Sequence, residues 1–155
     1  MSNKPIPMSL ESLQQMLQDD VFAGYVQTQG LRVIEVHDNE VALALPLLPH
    51  LVHVGGVVCG QALMAAADSA MVLAISHQLG GFRPMTTVQL QISFLRPIAG
   101  PGPGPGPGPL PGSPAEARIV ARVLRAGKNL VFGEIEALDS AGRLAAHSTA
   151  TYALL

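Results

Sequence analysis

The sequence predicts a single α+β domain in which a curved antiparallel sheet wraps one long helix. Three observations carry that expectation. GQALMAAADSAMVLAISHQLGG, residues 60–81, reads as one helix that is apolar on nearly every side, and such a helix must be buried in a sheet or an interface. The segments around it alternate with the two-residue period of strands. The order is helix, two strands, long helix, then four strands, so the two kinds of element segregate instead of alternating.

Each element has its own signal. Residues 1–30 form an N-terminal helical segment. In SLESLQQMLQDDVFAGYV, Leu10, Leu13, Met16 and Leu17 recur at helical spacing, and Ser9 suits the N-cap with Glu11 or Ser12 in the first turn. LRVIEVHDNEVALALPL reads as two strands about the turn Asp38-Asn39. LPHLVHVGGVVCG is a loop, and the long helix after it stops at Gly80-Gly81. TTVQLQISFLRP sets Val88, Leu90, Ile92 and Phe94 against Gln89, Gln91 and Ser93, the pattern of a half-buried strand. EARIVARVLRAGKNLVFGEIEAL is a hairpin turning at Ala126-Gly127-Lys128, with Ile119, Ala121, Val123, Val131, Gly133 and Ile135 in alternation. RLAAHSTATYALL is the last strand, reached through Asp139-Ser140-Ala141-Gly142. The low-complexity tract Gly100–Pro114 fits no element, because Pro removes donors and Gly adds entropy. It reads as an exposed loop expansion without chemistry, set where two strands would otherwise meet in a short hairpin.

Bulk properties exclude several functions. A chain of 155 residues is one domain with room for a core. A formal net charge of -2 and scattered arginines argue against a nucleic-acid partner. One cysteine, Cys59, and an N-terminus without the apolar core of a signal peptide predict a reducing, cytoplasmic setting. Val57–Leu79 is long enough to span a bilayer, but it carries Gln61, Asp68, Ser69, Ser76, His77 and Gln78, and strands follow it, so no membrane partner is expected. His37, His50, His77 and His147 are scattered, and no metal site is expected.

Asp68 is the only carboxylate between Val41 and Ala115, and it falls near the middle of the long helix. A lone acid there is costly to bury as a charge unless something pairs it or uses it. It reads either as a polar residue hydrogen-bonded at a subunit seam or as a working acid.

GGVVCGQALMAAADSAM, then TTVQLQISFLRPI, then RVLRAGKNLVFGEIEALDSAGRLAAHSTATY resemble the hotdog-fold acyl-CoA thioesterases, in the branch related to the phenylacetate-pathway (PaaI-like) enzymes. The resemblance covers nearly all of the chain after Leu31. It implies a glycine at the helix start, here Gly60, and an acid eight residues later, here Asp68. The family's loop Asn or Gln falls on His53. Its usual His-Gly-Gly is Cys59-Gly60-Gln61 here, so Cys59 and Gln61 would line the substrate site. Thr87, or its neighbour Thr86, would assist the acid. Arg96, Arg125 and Lys128 stand where the family often places cations against coenzyme A phosphates, although each also reads as a plain surface charge. Coenzyme A would be part of the substrate, and no cofactor is implied.

The chemistry suits those residues. Thioester attack puts charge on the carbonyl oxygen, and a backbone N–H at a helix N-terminus is a preorganised donor for it. Glycine at position 60 leaves room for the carbonyl. Asp68 would act as general base on water or as a nucleophile, with Thr87 and His53 orienting water or carbonyl. His53 also reads as a loop histidine bonded to backbone, and Cys59 as a small buried hydrophobe. Gly60 and Asp68 are eight residues apart, which is about 12 Å along a helix. A carbonyl and its water must approach within roughly 3–3.5 Å. Two antiparallel helices related by a two-fold axis meet that requirement, so the site is expected at a homodimer interface; a dimer of dimers is what the family resemblance implies. Ala65, Ala66 and Ala67 would allow the close approach. A hotdog hydratase or dehydratase using His53 with Asp68 and a non-catalytic acyl-CoA binding module are the alternatives.

Overall fold

The computed structural model describes residues 4–101 and 115–155. Helix α1 spans Leu10–Gln18; Ser9 caps it by accepting the Ser12 N–H at 3.2 Å, and Leu13, Met16 and Leu17 are its buried stripe. The one-turn helix α2 spans Gly24–Gln27. Strands β1 (Arg32–His37) and β2 (Glu40–Pro46) meet at the Asp38-Asn39 turn. Helix α3 covers Gly60–Leu79 and ends on Gly80, whose φ of +75° is the left-handed cap that glycine adopts without strain. Strands β3 (Met85–Phe94), β4 (Glu116–Ala126), β5 (Leu130–Leu138) and β6 (Leu144–Leu154) complete an α+β hotdog fold.

The six strands among the described residues are all antiparallel, in the order β1-β2-β4-β5-β6-β3, and α3 packs across the concave face. α3 is long and apolar enough to cross a membrane, but 67% of its apolar window is buried inside this fold. It packs tightly on the sheet at Gly133, where a Cβ would stand 2.4 Å from the sulfur of Met71. The inner rows alternate as the sequence predicts: Ile119, Ala121 and Val123 on β4, Val131, Gly133 and Ile135 on β5. The outer face is charged at its centre and carries exposed Leu130 and Phe132 toward the β4–β5 turn. Arg122 bridges Glu40, Glu134 and Glu136 across β2, β4 and β5, which lets that face meet water.

Three expectations need correction. First, β3 and β4 do not form a hairpin: among the described residues β3 is an edge strand paired with β6, while β4 lies between β2 and β5. The chain therefore crosses from the edge of the sheet to its middle; residues 102–114 of the Gly100–Pro114 tract lie outside the described residues. Second, Val88 does not share a face with Leu90, Ile92 and Phe94. A β-bulge between Thr87 and Gln89 adds one residue to β3, so Thr87 pairs with Tyr152 while Leu90 pairs with Ala150. Val88 is turned out, 60% exposed, and Thr87 takes the inward place. Third, Ala66 and Ala67 face the sheet, fully buried, and only Ala65 of the alanine run lies half-buried on the open side of α3.

Candidate active site

Asp68 sits half-buried in the middle of α3, beneath the first residues of β3 and the last of β6. The register that pairs Thr87 with Tyr152 puts both side chains on the concave face, side by side over the helix. Thr87 Oγ1 donates to Asp68 Oδ1 at 2.9 Å, and the Tyr152 hydroxyl donates to that same oxygen. The Tyr152 hydroxyl also lies 3.2 Å from the Asp68 carbonyl oxygen. Oδ2 has no protein partner among the described residues. Tyr152 is fully buried. Burial, and then the Asp68 carboxylate beside it, hold its hydroxyl far above the usual phenol range, so it stays a donor.

The acid opens on a cavity of about 290 Å³ between α3, the start of β3 and the turn that leads into α2. Its walls are apolar: Phe22, Val26, Val72, Phe82 and Met85, with Asp68, Ser69, Thr86 and Thr87 at the polar end. A hollow of similar size, about 320 Å³, between α1, α2 and β1 has no carboxylate in its lining.

Gly60 lies elsewhere. It begins α3 at the other end of β3, beside a cavity of about 310 Å³ lined by Val57, Leu63, Phe94, Arg96 and Ile98. Its N–H, first in the helix, has no acceptor among the described residues. The room left by its missing Cβ is not open: a Cβ there would stand 2.9 Å from the Phe94 ring. Arg96 lines the same cavity and donates through Nε to the Leu144 carbonyl at 3.2 Å.

The other sequence-predicted residues are dispersed. His53 is exposed in the loop, and its Nδ1 accepts the Gly55 N–H at 2.9 Å, a self-contained turn. Cys59 is the N-cap of α3, a half-buried free thiol whose N–H donates to the Leu51 carbonyl. Gln61 is exposed on the first turn. Thr86 is exposed at the edge of the Asp68 cavity but, unlike Thr87, makes no hydrogen bond to the carboxylate. Arg125 and Lys128 are exposed at the tip of the β4–β5 hairpin. That tip lies at the Asp68 end of the sheet, since Leu130 pairs with Ala153 and Thr86 pairs with Ala153 from the other side. Among the described residues no three His, Cys, Asp or Glu side chains gather as metal ligands.

One chain therefore unites Asp68 with Thr87 and leaves Gly60 with Arg96 at the far end of β3. Tyr152 is the site residue that sequence reasoning missed. Its signal was present: Ala146, Ser148, Ala150, Tyr152 and Leu154 form one inward row, and a buried tyrosine needs a partner for its hydroxyl.

Comparison with known proteins bears on the family and the fold. The family model described as "Thioesterase superfamily" matches residues 55–102, which hold the start of α3, Asp68 and all of β3. A Thermoplasma volcanium protein named as a candidate esterase is 27% identical over 140 residues, covering 84% of this chain and 87% of that protein. A thioesterase structure from Haemophilus influenzae superposes with a TM-score of 0.77 at 18% identity, over 96% of this chain and 91% of that one, and at that identity it speaks for the fold alone. The structure of a conserved Pseudomonas aeruginosa protein is 31% identical, covers 86% of this chain and 95% of that one, and has a TM-score of 0.70. With that relative aligned over nearly its whole length, and the family model matching the very segment that carries Gly60, Asp68 and Thr87, the chain belongs to the thioesterase superfamily.

Proposed function

We propose that the protein hydrolyses acyl-CoA thioesters to free acid and coenzyme A. The observation that carries this is a carboxylate with one oxygen tied by two hydroxyls and the other free, at the mouth of an apolar cavity. The cavity beside Asp68 takes the acyl group. Asp68 removes a proton from water as the hydroxyl adds to the thioester carbonyl carbon. The oxyanion so formed is met by the N–H of Gly60 at the α3 N-terminus, where the helix dipole favours negative charge. Collapse of the adduct breaks the carbon–sulfur bond, and the proton held by Asp68 passes to the leaving thiolate. No cofactor is needed, since coenzyme A leaves as product. Arg96, Arg125 and Lys128 are the cations available to its phosphates.

The working unit in this reading is a homodimer with shared sites, in a dimer of dimers. Asp68 and Gly60 are about 12 Å apart on one helix, and they belong to cavities at opposite ends of β3. β3 has a free edge among the described residues, and Val88, Phe94 and Leu95 along it are all more than half exposed. Antiparallel pairing of two such edges brings the Thr87 end of one chain to the Phe94 end of the other. The hydratase reading draws no support from His53, whose Nδ1 is taken by Gly55.

A panel of short, medium, long and aryl acyl-CoAs, read by release of free thiol, tests the activity. Asp68→Asn is expected to lower kcat by about two orders of magnitude or more with substrate affinity near normal. Full activity in that variant removes Asp68 from the mechanism.

A further inference from the structure

We propose that Tyr152 is a positioning residue for Asp68: with Thr87 it fixes Oδ1, so that Oδ2 is the oxygen that works on water. The proposal rests on the thioesterase reading above and adds a residue to it. A carboxylate on a helix rotates about two side-chain bonds, and either oxygen could face the substrate. Here Oδ1 is bound twice, from β3 by Thr87 at 2.9 Å and from β6 by Tyr152, while Oδ2 is bound by neither. The two donors are cross-strand partners, so the sheet register sets the spacing of the pair. Tyr152 is the more rigid of the two. It is fully buried, it sits on a strand paired on both sides, and its ring has a single polar atom, which the carboxylate occupies. Thr87 stands on an edge strand beside a bulge and is exposed.

Tyr152 is no acid or base in this arrangement. Its hydroxyl is held in the donor form by burial and by the carboxylate. It is fully buried, and its hydroxyl acts through Asp68. Phenylalanine keeps the ring and removes the one atom in question, so Tyr152→Phe isolates the contact. A hydrogen bond to a charged group is lost, which corresponds to roughly a ten- to hundredfold effect where orientation is the limiting factor.

The test is a double-mutant cycle on the full-length protein with the best acyl-CoA of the panel. Tyr152→Phe is expected to lower kcat about tenfold or more with KM within a factor of two. In an Asp68→Asn background the same substitution is expected to change the residual rate less than twofold, because there is no carboxylate left to orient. A packing role would instead lower both backgrounds alike, and that result overturns the proposal, as does full kcat in Tyr152→Phe. A second arm needs no turnover: in a crystal structure of Tyr152→Phe the Asp68 carboxylate is expected to rotate or to occupy two conformers. A carboxylate that stays in place there overturns the positioning role. A Tyr152→Phe chain that does not fold also overturns it, since the hydroxyl then serves the fold. A wild-type protein inactive on every acyl-CoA defeats the thioesterase reading, while the crystal arm still decides whether Tyr152 orients Asp68.

Discussion

β3 and β6 are neighbours in one sheet, yet they obey different rules. β6 alternates regularly from Ala146 onward, its one irregularity lying at Ala145 near its start: Ala146, Ser148, Ala150, Tyr152 and Leu154 are buried. Its partners on both sides hold it straight, and its sequence can be read with a period of two. Among the described residues β3 is paired on one side only, and it breaks the period at Val88. Its inner row is Met85 and Thr87 before the bulge, then Leu90, Ile92 and Phe94 after it. The break falls beside Asp68, and its effect is to put a hydroxyl where strict alternation would put Val88. Bulges are common next to active sites because they re-aim one side chain without rebuilding the sheet. The regular strand supplies the rigid donor, Tyr152, and the irregular one supplies Thr87 and a free edge.

The free edge gives the largest test of the contrast. If β3 is unpaired because a second β3 completes it, each site joins Gly60 of one chain to Asp68 of the other. Two nearly inactive variants, Asp68→Asn and Gly60→Pro, are then unfolded and refolded together. Proline at the first helical position removes the donor N–H and is tolerated there. A Phe94→Ala parent gives its ring room, since Phe94 fills the space at Gly60. Random pairing gives about half heterodimers, each with one intact site, so about a quarter of the parent activity should return. With heterodimers shown to form, no recovery would place each site within one chain.

The bulge gives the next test. Thr87→Val removes the hydroxyl on Asp68 and keeps the shape, and kcat should fall about tenfold, the scale of one hydrogen bond to a charged group. Thr86→Val, one residue earlier, lines the same cavity but does not touch the carboxylate, so its effect should fall on KM and change kcat less than twofold. Equal losses at the two positions would mean that the register around the bulge does not select Thr87.

How much of this could be read in the chain differs along it. The capped α1, the Gly80 stop of α3, the Asp38-Asn39 turn and the β4–β5 hairpin were legible because each rests on local chemistry with a fixed geometry. Asp68 stood out as a candidate from its isolation among apolar residues. The place of β3 at the sheet edge was not, because β3 pairs with a strand that lies some 60 residues away in the chain. The bulge was hidden for a related reason: the residues from Met85 to Phe94 fit plain alternation, and only the partner strand shows that one of them is extra. Tyr152 needed one more step, a demand that a buried hydroxyl be satisfied. The alanine run misled because three small residues in a row look like a contact face, whereas a helix shares them between two sides and buries Ala66 and Ala67 in the core.

The smallest effect separates the two strands by stability alone. Ala150 lies on the inner row of β6 at 4% exposure, opposite Gly133 and Leu90. Ala150→Val adds two carbons to a packed interior, and overpacking of that kind costs about 1–3 kcal/mol. Val88→Thr on β3 should cost no more than about 0.5 kcal/mol, the range of surface substitutions, because the bulge turns that side chain outward. Plain alternation makes the opposite forecast for Val88: a threonine hydroxyl buried without a partner would cost about 1–3 kcal/mol. Urea unfolding of both variants at one fixed protein concentration decides between them, since association adds to apparent stability and must be held constant. A loss above about 1 kcal/mol in Val88→Thr would return Val88 to the inner face and remove the structural reason for Thr87 to meet Asp68.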